Sequence, residues 1–581
     1  MRKLIRIVGN YMFPSIFETM LYLLLGCIIY MVGVLTGRSS SKFGYASEIT
    51  GAILAIGFIF YQQGFPEGFI YFAFVSAGYL SMSLLMTGQG KFGELKEEVI
   101  QLEVEEIGII RNNQRMLGEL GISTLVFTGA SLYLIYGPEN SPLKYFIVYG
   151  LLIAITEMIK RLVIYFTTSL YFSKQQGNLY IISRLDSRKF SIKDIQEITI
   201  ESTVDLLKLH PYLTLFTSNT DFTTSFNKVL RLQLPGETIY LTIKETEKWK
   251  TELGTGTKFE NTIENELYIL PFYHKRNIKR LLGKFYFAIT VKGVSAYTGM
   301  ILLLYYFRTP AWLMVSIAII YWLFNIYISD RVLKVAMDAK LATDPKVISV
   351  AEKVFAKANI PNVKVYETDS AQYNGLATGM NIGRSMVTLT TATLKLPIDA
   401  IEGILAHEAV HVKKRDILFG QLYRVLLMLI VVVSLLFIFK LISDVEAFAI
   451  PLFFLVWLLV ILFPLFQSFC SQLMEVRADH LGASFLDGGT LQMANSLATL
   501  ATSQDEAMKK TAEYSMKKND LKEIKSSLAR SPRFLRFLEF QMMDHPPMYW
   551  RIYTLRVYGH KWGKEIRRRW WIDRFKESFT K

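Results

Sequence analysis

Two histidines four residues apart, with a carboxylate directly after the first, stand in His407-Glu408-Ala-Val-His411. On a helix, positions i and i+4 share a face, so both imidazoles reach one tetrahedral centre, and borderline-soft nitrogen donors suit zinc. Glu408 then lies beside the metal rather than on it. A carboxylate there can take a proton from a metal-activated water while the ion polarises a scissile carbonyl, the chemistry of peptide hydrolysis. Catalytic zinc needs three protein ligands and one open position. The later polar helix Ser471-Gln-Leu-Met-Glu475-Val-Arg-Ala-Asp479-His480 offers Glu475 as the third ligand. Asp479, one turn on, is spaced to orient a ligand imidazole through its free N–H. His480 is a rival, but it projects about 100° from Asp479 and leaves the face that Glu475 occupies.

These residues need elements to bring them together. Apolar positions at Ile401, Ile404, Leu405 and Val412, with Pro397 and Asp399 ahead of them, predict a helix over 401–412. Between His411 and Glu475 run two apolar segments, 422–442 and 447–466, joined at 443–446. Two crossings return the chain to the side it left, so Glu475 faces the compartment of His407.

Of the 581 residues, 51% are hydrophobic, which is high for a soluble chain of this size and reads as a membrane protein. Seven further segments approach or reach spanning length: 14–35, 49–61, 69–86, 122–136, 145–172, 285–307 and 312–328. The second is short, and the fifth is interrupted by Glu157, Lys160 and Arg161. Lys and Arg concentrate in the loops 37–47, 88–121, 173–284 and 329–421, whereas the opposite loops carry only Lys144 and Arg308. The positive-inside rule therefore makes the histidine side cytoplasmic, against the opposing signal of Arg2, Lys3 and Arg6. The N-terminus has no convincing cleavage site and reads as a retained first span. A net charge of +15 then fits basic loops at an anionic leaflet, and no stacked-aromatic or helix-turn-helix signal supports nucleic acid. Cys27 and Cys470 lie in or beside apolar runs, which excludes a disulfide framework and a cysteine metal site.

The fold class is therefore mainly α: a polytopic helical membrane protein with a zincin-type HExxH domain and a small β-rich insert. The expected divisions are a membrane region 1–172, the insert 173–275, a catalytic region 276–560 with four spans, and a basic aromatic tail 561–581. Strand patterns at 179–182, 197–200, 212–216, 229–234 and 238–243, a hairpin turn at Pro235-Gly236-Glu237 and a helix near 244–253 resemble a pleckstrin-homology-like barrel. In the catalytic part a helix over 347–358 and a strand over 363–366 precede the turn-rich Asn374-Gly375-Leu-Ala-Thr-Gly379. The run Met386-Val387-Thr388-Leu-Thr390 is either an edge that takes an extended substrate, with Asn374, or an ordinary core strand. Residues 497–538 show a weak helical pattern and read as a mobile surface segment, and His545 before two prolines reads as a turn residue. In the tail, Trp562, Trp570 and Trp571 among Arg567, Arg568 and Arg569 suit anionic lipid.

The stretch His407-Glu-Ala-Val-His411-Val-Lys-Lys-Arg-Asp416, the apolar hairpin, Glu475-Val-Arg-Ala-Asp479 and His545-Pro-Pro through Arg551 resemble the HtpX-like membrane zinc metallopeptidases. More distantly they resemble the CAAX prenyl proteases; the likeness covers about 285–558. It implies one zinc per chain held by His407, His411 and Glu475, with Glu408 as base and Asp479 behind a ligand. It also implies that His545 or Arg551 stabilises the tetrahedral intermediate, and that the substrate is a membrane or membrane-associated protein. The family's Asn-Ala-aromatic stretch is replaced here by Asn374-Gly375-Leu376. A zinc-binding membrane sensor or scaffold is the alternative. A transporter would need polar groups converging inside the spans, for which Lys292 and Glu157 are too few.

Overall fold

The computed structural model describes residues 15–580 apart from 38–40, 65–67, 87–90, 138–142, 211–212, 217, 255–273, 293–299, 301–302, 305–306, 379–383, 443–447, 516–524 and 560–561. The N-terminal part is helical, with α1 (Ile16–Gly37), α2 (Ser41–Gln63), α3 (Gly68–Met86), α4 (Asn113–Tyr136) and α5 (Leu143–Thr167). Glycine lets α1 and α3 meet backbone to backbone, as is common between membrane helices. A Cβ on Gly26 would lie 1.9 Å from the Val75 carbonyl oxygen, and one on Gly78 1.9 Å from that of Leu23. Among the described residues, α1, α2, α4 and α6 (Ala311–Ala336) are long and apolar enough to cross a bilayer.

The expected segment 49–61 is part of a longer helix, and 145–172 is corrected at its end. There α5 stops at Thr167, and the alternating Ser169–Ser173 pairs as a strand. Arg161 on α5 is met by Glu119 and Asp221, each at 3.3 Å, so its charge is neutralised where α4 and α5 meet the β-rich insert. Segment 285–307 lies partly outside the described residues, and the hairpin tip 443–446 and Arg2, Lys3 and Arg6 lie outside them altogether.

The insert is two four-stranded sheets. β1 (Glu105–Ile107), β2 (Ser169–Ser173), β3 (Asn178–Ile182) and β4 (Arg188–Ser191) form one in that order. β5 (Glu197–Glu201), β7 (Val229–Leu234), β8 (Glu237–Leu241) and β6 (Asn219–Phe222) form the other. Their inner faces share one core closed by Trp249 of the helix Thr246–Leu253. The expected strand at 212–216 is absent among its described residues; the sixth strand is instead Asn219–Phe222, whose polar Asn-Thr-Asp hides a pairing made with β8. Asp369 of the catalytic region accepts from Arg231 at 2.6 Å and pairs with Lys208 at 2.7 Å, tying this barrel to the loop before the catalytic edge strand.

The catalytic region has its own sheet, in the order β11 (Gly375–Thr378), β12 (Met386–Thr390), β10 (Lys364–Thr368), β9 (Lys340–Leu341). Against it pack α7 (Ile398–Lys414) and the helix Pro345–Lys357. The hairpin is α8 (Asp416–Leu441) and α9 (Ala449–Gly482), which pack on each other. At about 1.5 Å per residue, the 34 residues of α9 outrun a bilayer core, leaving a polar extension beside α7. α10 (Gly489–Ser515) corrects the expectation of a mobile segment beginning at 497: Met493, Leu497 and Ala501 are buried, and Tyr514 enters the barrel core. Small residues carry this packing, since a Cβ on Gly403 of α7 would lie 2.2 Å from the Ser496 hydroxyl. The chain closes with α11 (Arg533–Met542), α12 (Met548–Tyr558) and α13 (Lys564–Phe579).

Candidate metal centre

α7 presents His407 and His411 on one buried face, four residues apart. α9 lays Glu475 across both. The His407 Nε2 to Glu475 Oε2 distance is 3.4 Å, His411 Nε2 to Glu475 Oε1 is 3.3 Å, and the two Nε2 atoms are 3.0 Å apart. Three donors held 2.0–2.1 Å from a tetrahedral zinc would be about 3.3 Å apart, so this N2O triangle has the size that ion requires. The described residues that can jointly hold a metal ion are these three.

Each imidazole is aimed from behind. His407 Nδ1 donates to Asp479 at 2.9 Å, and His411 Nδ1 donates to Asp416 at 2.8 Å, leaving both Nε2 atoms turned toward Glu475. Arg551 braces Asp479 through two bonds of 2.7 and 2.8 Å, and Arg477 pairs with Asp416. Counting Glu408, Glu475, Asp416 and Asp479 against Arg477 and Arg551, with neutral imidazoles, the cluster carries two excess negative charges. One divalent cation balances them, as a buried cluster of this kind requires.

Asp416 is the residue that local spacing alone does not reveal as part of the centre. Arg415 takes a left-handed conformation (φ 54°), which ends α7 and turns the next carboxylate back onto His411. An Asp five residues after a metal-type histidine, at the start of the following helix, is the signal that could have pointed to it. Asp416→Asn is expected to weaken metal binding by about 10–100-fold. Competition with a chromophoric chelator measures the loss.

Burial pulls the His407 imidazole down, but its bonds to Asp479 and Glu475 outweigh this and lift it to about 8. His411 rises further, burial again being outweighed by Asp416 and Glu475. Burial pushes Glu475 up, and His545, His407 and His411 together hold it well below the usual carboxylate range.

Glu408 is buried next to the edge strand, and its Oε2 accepts from the Ala377 N–H at 2.6 Å. β11 passes so close to α7 that a Cβ on Gly375 would lie 2.8 Å from Ile404 Cγ2. Of the two readings of 386–390 the core strand holds: β12 is flanked by β11 and β10, and Met386, Val387 and Thr388 are buried ladder residues rather than an open edge. Asn374 anchors the turn into β11 through Thr393, which donates to its carbonyl oxygen at 2.9 Å.

His545, 66% exposed, stands at the rim with Nδ1 3.0 Å from Glu475 Oε2. Arg551 reaches the same Glu475 oxygen through Nη2 at 3.4 Å, and its Nε and Nη2 are also held by Asp479. His480 turns away and bonds the Gly559 carbonyl oxygen through Nδ1 at 2.6 Å.

Residues 341–558 match the family model described as Peptidase family M48. Over that segment the chain is similar to the M48 peptidases. The M48 match falls inside the 285–558 of the resemblance, and residues 169–257 match a bacterial PH domain. A protease HtpX homolog of Pelotomaculum thermopropionicum is 35% identical over 104 residues, 17% of this chain and 37% of that one. One of Thermodesulfovibrio yellowstonii is 34% identical over 88 residues, 15% of this chain and 31% of its own. The chain thus spans about a third of the length of these curated relatives. The crystal structure of S. mikatae Ste24p aligns over 48% of this chain and 65% of its own, at TM-score 0.31 and 17% identity. The M48 domain contains every donor and bracing residue described above.

Proposed function

We propose that this chain is an integral-membrane zinc endopeptidase that hydrolyses peptide bonds of membrane or membrane-associated proteins. What carries the reading is the triangle of His407, His411 and Glu475, of zinc-like dimensions and with a carboxylate behind each imidazole. Those three would hold one zinc, which supplies a Lewis acid for the scissile carbonyl and acidifies water at its open position. Glu408 takes the proton from the attacking water and passes it to the leaving amine. Asp479 and Asp416 keep the Nδ1 protons in place, so both Nε2 lone pairs face the ion. His545, at the exposed rim, donates a hydrogen bond to the oxygen on which charge develops. β11 is the sheet edge beside Glu408, and an extended peptide adds to it through backbone bonds. The basic loops flanking the spans support a multi-pass placement in the cell membrane with this site on the cytoplasmic side.

The reconstituted chain should degrade casein, stop when a chelator is added and recover with zinc. Casein cleavage that survives complete chelation, or none from zinc-loaded protein, rejects the reading.

Zinc must displace protons from both imidazoles, which sets a pH dependence. In the metal-free protein, a histidine raised from about 6.5 to about 8 on folding contributes stability that is present below about 6.5 and lost as pH climbs through 8. The cation prefers the deprotonated rings, so its stabilisation runs the other way. The zinc-induced rise in thermal midpoint is expected to be larger at pH 8.5 than at pH 6, as read by melting in detergent with and without metal.

A further inference from the structure

α11 and α13 bury Phe540, Ile566 and Trp570 but also turn charged and polar groups inward and several aromatic ones outward. On α13, Asp573, Arg574 and Ser578 are buried, Arg574 at 2% exposure, whereas Trp571, Ile572, Phe575 and Phe579 face outward, Phe579 at 68%. On α11, Arg536 and Gln541 are buried, and Phe534, Leu535 and Met542 face outward, Phe534 at 71%. The inward polar groups bind one another and α9. Arg574 donates to Gln541 Oε1 at 3.0 Å and to the Ser468 hydroxyl at 3.4 Å, and Gln541 returns a bond to the Arg574 carbonyl oxygen at 3.0 Å. Arg536 donates to the Thr580 carbonyl oxygen. A chain folding in water places such groups the other way round, because burying a guanidinium is costly and burying phenylalanine is favourable. Such an arrangement suits an outward face that meets an apolar medium.

The position of the face says which medium. Arg574 reaches the Leu465 carbonyl oxygen, and Ser468 and Gln472 both donate to the Met543 carbonyl oxygen. α11 and α13 therefore clasp α9 where its apolar run gives way to Gln467 and Ser468, a point that the span expected over 447–466 puts at headgroup depth. The apolar surface is continuous there, since the Phe469 ring of α9 lies 5.3 Å from that of Trp571, which meets Phe575 edge-on at 5.3 Å. Exposed Arg533, Lys564, Arg567, Arg568 and Lys576 supply the cationic surroundings that suit phosphate.

We propose that α11 and α13 form a membrane-lying platform, with Phe534, Trp571, Phe575 and Phe579 sunk into the headgroup–acyl boundary of the bilayer that α8 and α9 cross. Within the tail, Trp570 is buried against Phe469, so on this proposal Trp571 and its outward neighbours meet the lipid beside the exposed cations. Asp544 and His545 follow α11 directly, so the platform also fixes the height of the metal-site rim above the lipid. This surface exists whether or not the centre hydrolyses peptides.

The test uses the full chain with Cys27 and Cys470 replaced by alanine and a nitroxide on Phe534→Cys, Phe575→Cys or Phe579→Cys, in phosphatidylcholine–phosphatidylglycerol vesicles. All three positions are exposed, so substitution leaves the packing intact, which an unchanged thermal midpoint verifies. Collision with oxygen should exceed collision with a water-soluble nickel chelate at all three, at depths of about 5–10 Å. A label on Lys346→Cys, exposed on the M48 domain, should show the reverse. Nickel access equal to that at residue 346 overturns the proposal. So does protection from both reagents with spin–spin broadening that unlabelled chain dilutes away, the signature of a second copy on this face.

Discussion

Glu408→Gln is expected to lower casein turnover by about 10²–10⁴-fold while the protein keeps its metal. The amide fills the same buried space and can still accept from the Ala377 N–H, so the 2.6 Å contact with the edge strand need not be lost. What disappears is the ability to take a proton. At about 1.4 kcal/mol per tenfold, the loss corresponds to roughly 3–6 kcal/mol of transition-state stabilisation. Initial rates on labelled casein beside elemental analysis of the purified variant measure both quantities. A zinc-binding sensor or scaffold would keep its cellular phenotype in this variant. Unchanged casein turnover would remove Glu408 from the chemistry altogether.

Glu475→Ala should cost more, because it removes a donor instead of a proton carrier. Zinc content is expected to fall from about one per chain to near zero, beyond the roughly 10–100-fold weakening of a bracing partner. Activity falls with it. The substitution also strips the shared acceptor from His407, His411 and His545, each within 3.4 Å of Glu475. The metal-free imidazoles then lose part of what raises them, so proton uptake near neutral pH should fall as well. One zinc per chain in purified Glu475→Ala protein would exclude Glu475 as a ligand.

How legible these features are in the sequence depends on how local their causes are. His407 and His411 share a face by helix periodicity alone, and Glu475 and Asp479 repeat that spacing, so both pairs can be read without knowing the fold. The apolar hairpin supplies the one long-range step, because two crossings must return the chain. Asp416 escapes such reading because its role depends on a left-handed Arg415, a conformation no side-chain pattern announces. Which of two strands forms the edge is not legible for a different reason: Met386–Thr390 has the stronger strand pattern, and the sequence does not say that it pairs on both sides, with Gly375–Thr378 and with Lys364–Thr368. α10 hides because alanine, serine and glycine pack it, leaving little hydrophobic contrast to detect. The polarity of α13 is invisible too, since composition cannot say whether Arg574 or Phe575 turns inward.

The centre draws two donors from before the α8–α9 hairpin and one from after it. Synthesis alone therefore does not complete it. On the proposed reading, a copy whose helices are not inserted holds the two imidazoles without their third donor, and insertion is the step that completes the centre. Cell-free translation without vesicles should yield inert chains, and translation with vesicles active ones; equal activity in both reactions would show that insertion is not that step.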